Sequence, residues 1–292
     1  MFTAVSLDAQ SLAVERSGVW HRWWQSDHAP SAWAAPLPVL SGAVAWRPGQ
    51  AGIEIGEMRI SGGGEAWRIR AVVVRFDPAR LRLGLVLGAL VAGSRNQWSL
   101  RSAPADAVLA LNAGQFAGAG PWGWLVQDGV ERQAPGRGPL APAVVIERGG
   151  GVRIVPPDSI DAERASGRAA QAFQSYPALL GGDGAVPEAI RAPGRGVDLT
   201  HRDSRLAIGA LRDGRVLIVL TRFEGLAGAL DNLPFGLTTP EMAALMGALG
   251  CQRAVLLDGG ISSQLMVQDT GGERRAWRGM RYVPLGLVAR PR

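Results

Sequence analysis

Val255-Leu256-Leu257-Asp258-Gly259-Gly260-Ile261-Ser262-Ser263 is an apolar run that stops on a carboxylate. A buried strand is expected to end there. The two glycines let the backbone turn sharply and come close to a ligand. The hydroxyls of Ser262 and Ser263 follow, and such a turn can present backbone N–H groups to an anion. Two other stretches share this plan. Residues 107–111 are apolar and run into Asn112-Ala113-Gly114, and Arg205 opens the run Leu206-Ala207-Ile208. A carboxylate, an amide and a guanidinium at strand ends can converge on one cleft, where the planar guanidinium suits a phosphate. For Asp258 and Asn112 to emerge on one edge, their strands are expected to be parallel neighbours covered on both faces. Arg205 stands at the start of its strand, so that strand must run the other way. The expectation is an α+β fold: a mixed β-sheet core with a few helices packed on it.

Working outward, alternation or dense apolar character marks strands at 54–60, 67–76, 81–87, 125–126, 144–146, 152–155, 205–210, 215–221, 253–257, 265–267 and 283–288. Helices are expected at 96–104, 161–173 and 239–249. In the last, Met242, Leu245, Met246 and Leu249 share one face. Thr238-x-x-Glu241 before it matches a capping box, which gives Glu241 a structural role ahead of a catalytic one. Asp128, Asp183 and Asp213 each precede glycine and read as hairpin turns. Residues 1–50 look irregular and hold five of the ten tryptophans, Trp20, Trp23, Trp24, Trp33 and Trp46. They are expected to form a Trp-rich arm packed on a main domain over 51–292, with sugar stacking as the other use of the indoles.

Composition excludes several classes. The chain has 292 residues, 47% of them hydrophobic and 19% charged, which is globular and not disordered. All 31 basic residues are arginine, and the net charge of +6 is scattered, without the stripe a nucleic-acid binder concentrates on one face. Nucleic acid is therefore not expected as a partner. The single cysteine, Cys251, excludes an intrachain disulfide and reads as core filling. The N-terminal residues have no apolar leader segment, and the longest apolar run, residues 83–93, falls short of the roughly twenty needed to cross a bilayer. With three histidines, two of them in the arm, and no G-x-S-x-G, a serine triad is a poor fit. No His/Cys cluster has zinc spacing, and no Walker A or dinucleotide fingerprint is present. No cofactor is expected. Asp258 and Asn112 could share a calcium ion, but the spacing shows no oxygen cage of the six to eight ligands calcium takes.

The motifs also come in a recognisable order: Asn112-x-Gly114-x-Phe116; Pro177-x-Leu179 with Asp183-Gly184; Arg205-x-Ala207-Ile208-Gly209 with Asp213-Gly214-Arg215; Gly236-Leu237-Thr238-x-x-Glu241-Met242-Ala243; and Leu249-Gly250-Cys251 leading to Asp258-Gly259-Gly260-x-Ser262-Ser263. Over roughly residues 70–290 this resembles the phosphodiester glycosidase family. That family includes N-acetylglucosamine-1-phosphodiester alpha-N-acetylglucosaminidases and bacterial relatives of the exopolysaccharide-biosynthesis type. Ile261 and Leu206 depart from its usual glycine and threonine. The resemblance implies a hydrolase that cleaves a glycosidic bond in a sugar-1-phosphodiester or related glycoconjugate, and an extracytoplasmic location. Under it Asp258 is expected to act as base or nucleophile, Arg205 as phosphate clamp, and Asn112 to orient sugar hydroxyls or water. Gly114, Gly259, Gly260, Ser262, Ser263, Asp183 and Trp124 are expected to contact a carbohydrate or phosphosugar substrate. A non-catalytic carbohydrate-binding relative is the alternative.

Overall fold

A computed structural model of the chain describes residues 10–90, 96–118, 120–225 and 235–292. Most of the stretch between Phe223 and Gly236, which the sequence marks as a long loop, lies outside these residues, as does the end of the apolar run at 91–93.

The fold is mostly β, built on three sheets. The largest runs in the order Ala178–Leu180, Cys251–Leu256, Leu206–Leu211, Val216–Phe223, Ile69–Phe76, Glu54–Gly62, Ser11–Arg16, Val19–Gln25, with Ala45–Pro48 also paired to Glu54–Gly62. A second sheet orders Arg274–Trp277, Leu265–Gln268, Leu109–Asn112, Leu285–Pro291 and Leu81–Leu87. A third orders Val130–Gln133, Leu125–Gln127, Ala169–Gln174, Ala143–Glu147 and Val152–Val155.

Every described pairing in these sheets is antiparallel. The expected mixed sheet is corrected on this point, and the reason is the connections. Parallel neighbours need a crossover of a dozen or more residues, usually a helix. Most links here are tight turns, such as Asp128-Gly129, whose φ values of 53° and 77° suit a two-residue hairpin. The long crossover from Val216–Phe223 through the helix Thr239–Ala248 to Cys251–Leu256 skips over Leu206–Leu211, and the one from Ala178–Leu180 to Leu206–Leu211 skips over Cys251–Leu256, so the strands each joins run parallel without being neighbours.

Alternation along the central strands feeds two cores. Ala71, Val73, Ala207, Val219 and Leu256 face the helix side, while Val72, Val74, Ile208, Ile218 and Val255 face the second and third sheets. Strands covered on both faces must be apolar at every position, which explains their unbroken runs. The helix is buried around its whole circumference. Met242, Leu245 and Met246 lie in the first core with Cys251, and on another side a Cβ on Gly247 would stand 2.2 Å from the Trp33 ring. Trp33 thus comes from the segment expected to be irregular. Residues 11–25 and 45–48 of that segment are strands of the large sheet. Their turn residues and exposed tryptophan (Trp20, 47% exposed) obscured the alternation.

The helix expected over 161–173 is also shorter. It covers Ile160–Ser166 and ends at Gly167 in the left-handed region, after which Ala169–Gln174 is the middle strand of the third sheet. Residues 96–104 hold a short strand, Asn96–Gln97, and a single 3-10 turn.

Candidate active site

The site is assembled where strand ends of two sheets meet. Cys251–Leu256 and Leu206–Leu211 pair antiparallel, with Ala207 opposite Leu256, so Arg205 and Asp258 emerge on the same edge. Leu257 N–H donates to Leu206 O at 2.8 Å, and Gly260 N–H donates to Ser204 O at 2.8 Å. The glycines are required here. A Cβ on Gly259 would stand 2.8 Å from Ser204 O, and one on Gly260, whose φ is 57°, would stand 2.6 Å from an Asp203 carboxylate oxygen.

The second sheet supplies the other wall. Asp258 N–H donates to Gly114 O at 3.0 Å. Asn112 Nδ2 donates to Asp258 O at 2.8 Å, and its Oδ1 accepts from Gln264 N–H at 2.9 Å. Asn112 is buried (1% exposed), and these bonds occupy its side-chain oxygen and nitrogen. It ties the Asp258 turn to the second sheet and does not line the cavity.

In front of this seam lies a cavity of about 580 Å³, within the range that small-ligand sites occupy. Its lining includes Asp258, Asp203, Arg205, His201, Trp122 and Arg137. Of the residues expected in the site, Asp258, Arg205 and Gly259 line it. Ser262 is buried beneath and hydrogen-bonds the Asp258 carboxyl; Gly260 shapes the turn; Ser263 gives its carbonyl to Arg222 at 2.6 Å. Gly114 contributes through its carbonyl. Asp183 is exposed on a turn with φ 56°, next to a glycine packed on Trp33, and is not part of the lining.

Trp124 is likewise not in the cavity. It is 2% exposed in the small core under the helix Ile160–Ser166, with its indole N–H on Glu131 at 3.0 Å. Trp122 lines the cavity instead. Residues two apart in a strand share a face, but Gly123 lies between them at φ 80°, which breaks that rule. One buried amide holds this wall. Gln174 Oε1 accepts from Trp124 N–H (2.7 Å) and Gly136 N–H (2.8 Å), while Nε2 donates to Gly136 O (3.1 Å) and Ala141 O (2.9 Å). Gly136 in turn carries the Trp122 ring, which a Cβ there would meet at 2.6 Å.

Asp203 is the residue the sequence reading missed. Its backbone and side chain stand beside the Asp258 turn, and His201 Nε2 lies 3.6 Å from its carboxylate. The available signal was the polar run His201-Arg202-Asp203-Ser204-Arg205 ahead of an apolar strand. Burial pushes both carboxyls above the usual carboxylate range. For Asp203 the opposing pull comes mainly from Arg205. For Asp258 the Ser262 hydroxyl and Arg281 pull down while the Asp203 charge adds to the rise. One oxygen of Asp258, Oδ2, is buried with no hydrogen-bond partner among the described residues. Arg205 donates from Nε to Leu237 O (2.9 Å) and from Nη2 to His201 O (2.6 Å), and burial lowers its pKa. Among the described residues no group of three or more His, Cys, Asp or Glu side chains could hold a metal ion. No described helix is long and apolar enough to cross a membrane.

Comparison with solved structures gives the same architecture. The zebrafish N-acetylglucosamine-1-phosphodiester alpha-N-acetylglucosaminidase catalytic domain, auto-inhibited by its pro-peptide, aligns with a TM-score of 0.59 at 17% identity, over 89% of this chain and 87% of that one. A hypothetical protein from Synechocystis aligns with a TM-score of 0.53 at 15% identity, over 82% of this chain and 62% of that one. At these identities the likeness is one of fold. No curated protein sequence matches. The sequence pattern of the phosphodiester glycosidase domain, however, matches residues 105–290, which contain every residue of the cavity. The chain therefore belongs to the phosphodiester glycosidase family.

Proposed function

We propose that the chain hydrolyses the glycosidic bond of a sugar-1-phosphodiester, with Asp258 and Asp203 as its working carboxylates. The observation that carries this reading is the pair itself: two carboxyls, both raised by burial and Asp258 raised further by the Asp203 charge, in one cavity beside the half-buried Arg205. Glycoside cleavage needs one carboxylate at the anomeric carbon and a second group to manage the proton of water. Two acids that repel each other divide these states between them, one ionised and one protonated.

Asp258, which lines the cavity, serves as nucleophile or base toward the anomeric centre. Asp203, beside His201, takes the partner role. The leaving group is a phosphate monoester and is already acidic, so little general-acid help is needed at its departure. Arg205 supplies fixed positive potential for that departing charge. Two of its nitrogens are held by carbonyls, so it is set in place before substrate arrives. Trp122 gives the sugar an apolar face. Asn112 acts by fixing the Asp258 main chain and so is a positioning residue.

The test is turnover on a panel of sugar-1-phosphodiesters with the parent chain, Asp258→Asn and Asp203→Asn. Loss of about 10²–10³ in kcat for each is expected, the scale for removing a preorganised group. Full turnover by Asp258→Asn would remove the assignment. Saturable oligosaccharide binding by the parent chain with no release of sugar across the panel would favour a binding protein instead.

A further inference from the structure

A second cavity, of about 210 Å³, is walled by the segments 99–101 and 278–282 together with Gln264. The two segments are held in register by the Trp98–Val283 bridge. The later one packs onto the turn itself. Met280 N–H donates to Ile261 O at 2.7 Å, and a Cβ on Gly279 would stand 3.0 Å from that same oxygen.

Three features of this cavity point to an anion. Its lining carries Arg101, Arg278 and Arg281 and no carboxylate. Elsewhere on the chain Arg75, Arg153, Arg202 and Arg215 all have carboxylate partners, but among the described residues these three form no salt bridge. Arg281 instead lies over the Phe116 ring at 4.7 Å, and its charge reaches Asp258. The third feature is Gln264. It is 2% exposed, and its Oε1 accepts from Leu100 N–H at 2.9 Å, which fixes the other end of the amide as the donor. That Nε2 is buried and donates to nothing among the described residues. Leaving a buried donor unmade is costly, so such a group marks a place where a partner arrives.

We propose that this cavity is a phosphate-binding subsite, in which Gln264 Nε2 and the guanidiniums of Arg101 and Arg278 take the oxygens of a phosphoryl group. A guanidinium presents paired N–H donors at the spacing of phosphoryl oxygens, and two around one group neutralise a doubly charged phosphate. Tyr282, 53% exposed at the rim, offers an aromatic face to whatever carries the phosphate. The subsite's use in catalysis, holding an anionic part of the substrate beside the Asp258 turn, rests on the glycosidase reading; phosphate binding by itself does not.

The experiment is calorimetric titration of the full chain with inorganic phosphate at low ionic strength, with acetate titrated alongside. The parent chain is expected to show a saturable site for phosphate that acetate fills at least tenfold more weakly. Arg101→Ala/Arg278→Ala, both exposed positions, should remove that site or weaken it at least tenfold. Gln264→Glu keeps the acceptor for Leu100 and replaces the donor with a negative charge, and should have the same effect. Arg137→Ala, in the other cavity, should leave the site in place. An isotherm unchanged by the double arginine variant, loss of the site in Arg137→Ala alone, or equal affinity for acetate would each overturn the proposal. Asp258→Asn should bind phosphate as the parent does, so absence of hydrolysis and absence of this subsite are read separately.

Discussion

Two carboxylates in the neighbourhood of Arg205 are treated in opposite ways. Glu241 is fully buried and fully engaged. It caps the helix Thr239–Ala248 by accepting from Thr238 N–H at 2.9 Å, and it receives Arg202 through both Nη atoms at 2.6 and 2.8 Å. Asp258 is half-buried at the cavity wall, yet its buried oxygen has no partner among the described residues and its neighbour Asp203 repels it. A carboxylate whose bonds are all made holds structure together. One left short of partners keeps capacity for a ligand, at some cost to the fold.

The comparison can be broken most forcefully at Arg202. Arg202→Ala leaves the Glu241 charge buried and alone, and should cost about 3–5 kcal/mol of unfolding free energy, read by denaturant titration. A loss below 1 kcal/mol would show that the pair is not structural.

Trp122 and Trp124 sharpen the contrast on the opposite wall. Trp122→Ala should raise KM for a sugar substrate about threefold to tenfold, the scale of losing one aromatic contact of 0.5–1.5 kcal/mol, with kcat nearly unchanged. Trp124→Ala should instead lower Tm. Equal KM effects from both would mean the wall is one cooperative unit.

The smallest expected effect is a gain. Asp258 titrates near its ordinary value of 3.8 when unfolded and higher when folded. Its folded form therefore holds the proton more tightly, and stability falls as pH rises through the raised pKa. Asp258→Asn removes that loss. It should melt a few degrees above the parent at neutral pH and no higher than the parent below about pH 3.8, by thermal scans across pH. A variant that melts lower at neutral pH would place Asp258 with Glu241 as a structural acid.

Much of the sheet content was legible because the inner strands are covered on both faces. Leu81–Leu87 and Val152–Val155 have the bounds their apolar runs suggest. The capping box Thr238–Glu241 forms as written. Pairing direction was not legible. Asn112 and Asp258 both end apolar runs, which reads as neighbourhood in one sheet. They lie in different sheets, and their contact crosses between layers through a side-chain amide, which leaves no periodic trace. Asp203 was hidden for a related reason. Its position depends on the turn after Asp258 fitting against Ser204, a contact between segments 55 positions apart (203 to 258). The two indoles could not be told apart because one glycine reverses the face between them.

The Asn112 amide joins Asp258 across 146 positions and Gln264 across 152. Contacts this distant in sequence form only after long loops have closed, and closing them is the slow part of folding. Hairpins such as the one around Asp128-Gly129 can form early and alone, but no subset of them contains the cavity. Competence thus depends on long-range closure: Asn112 has its strand neighbour only once Leu285–Pro291 has docked beside it.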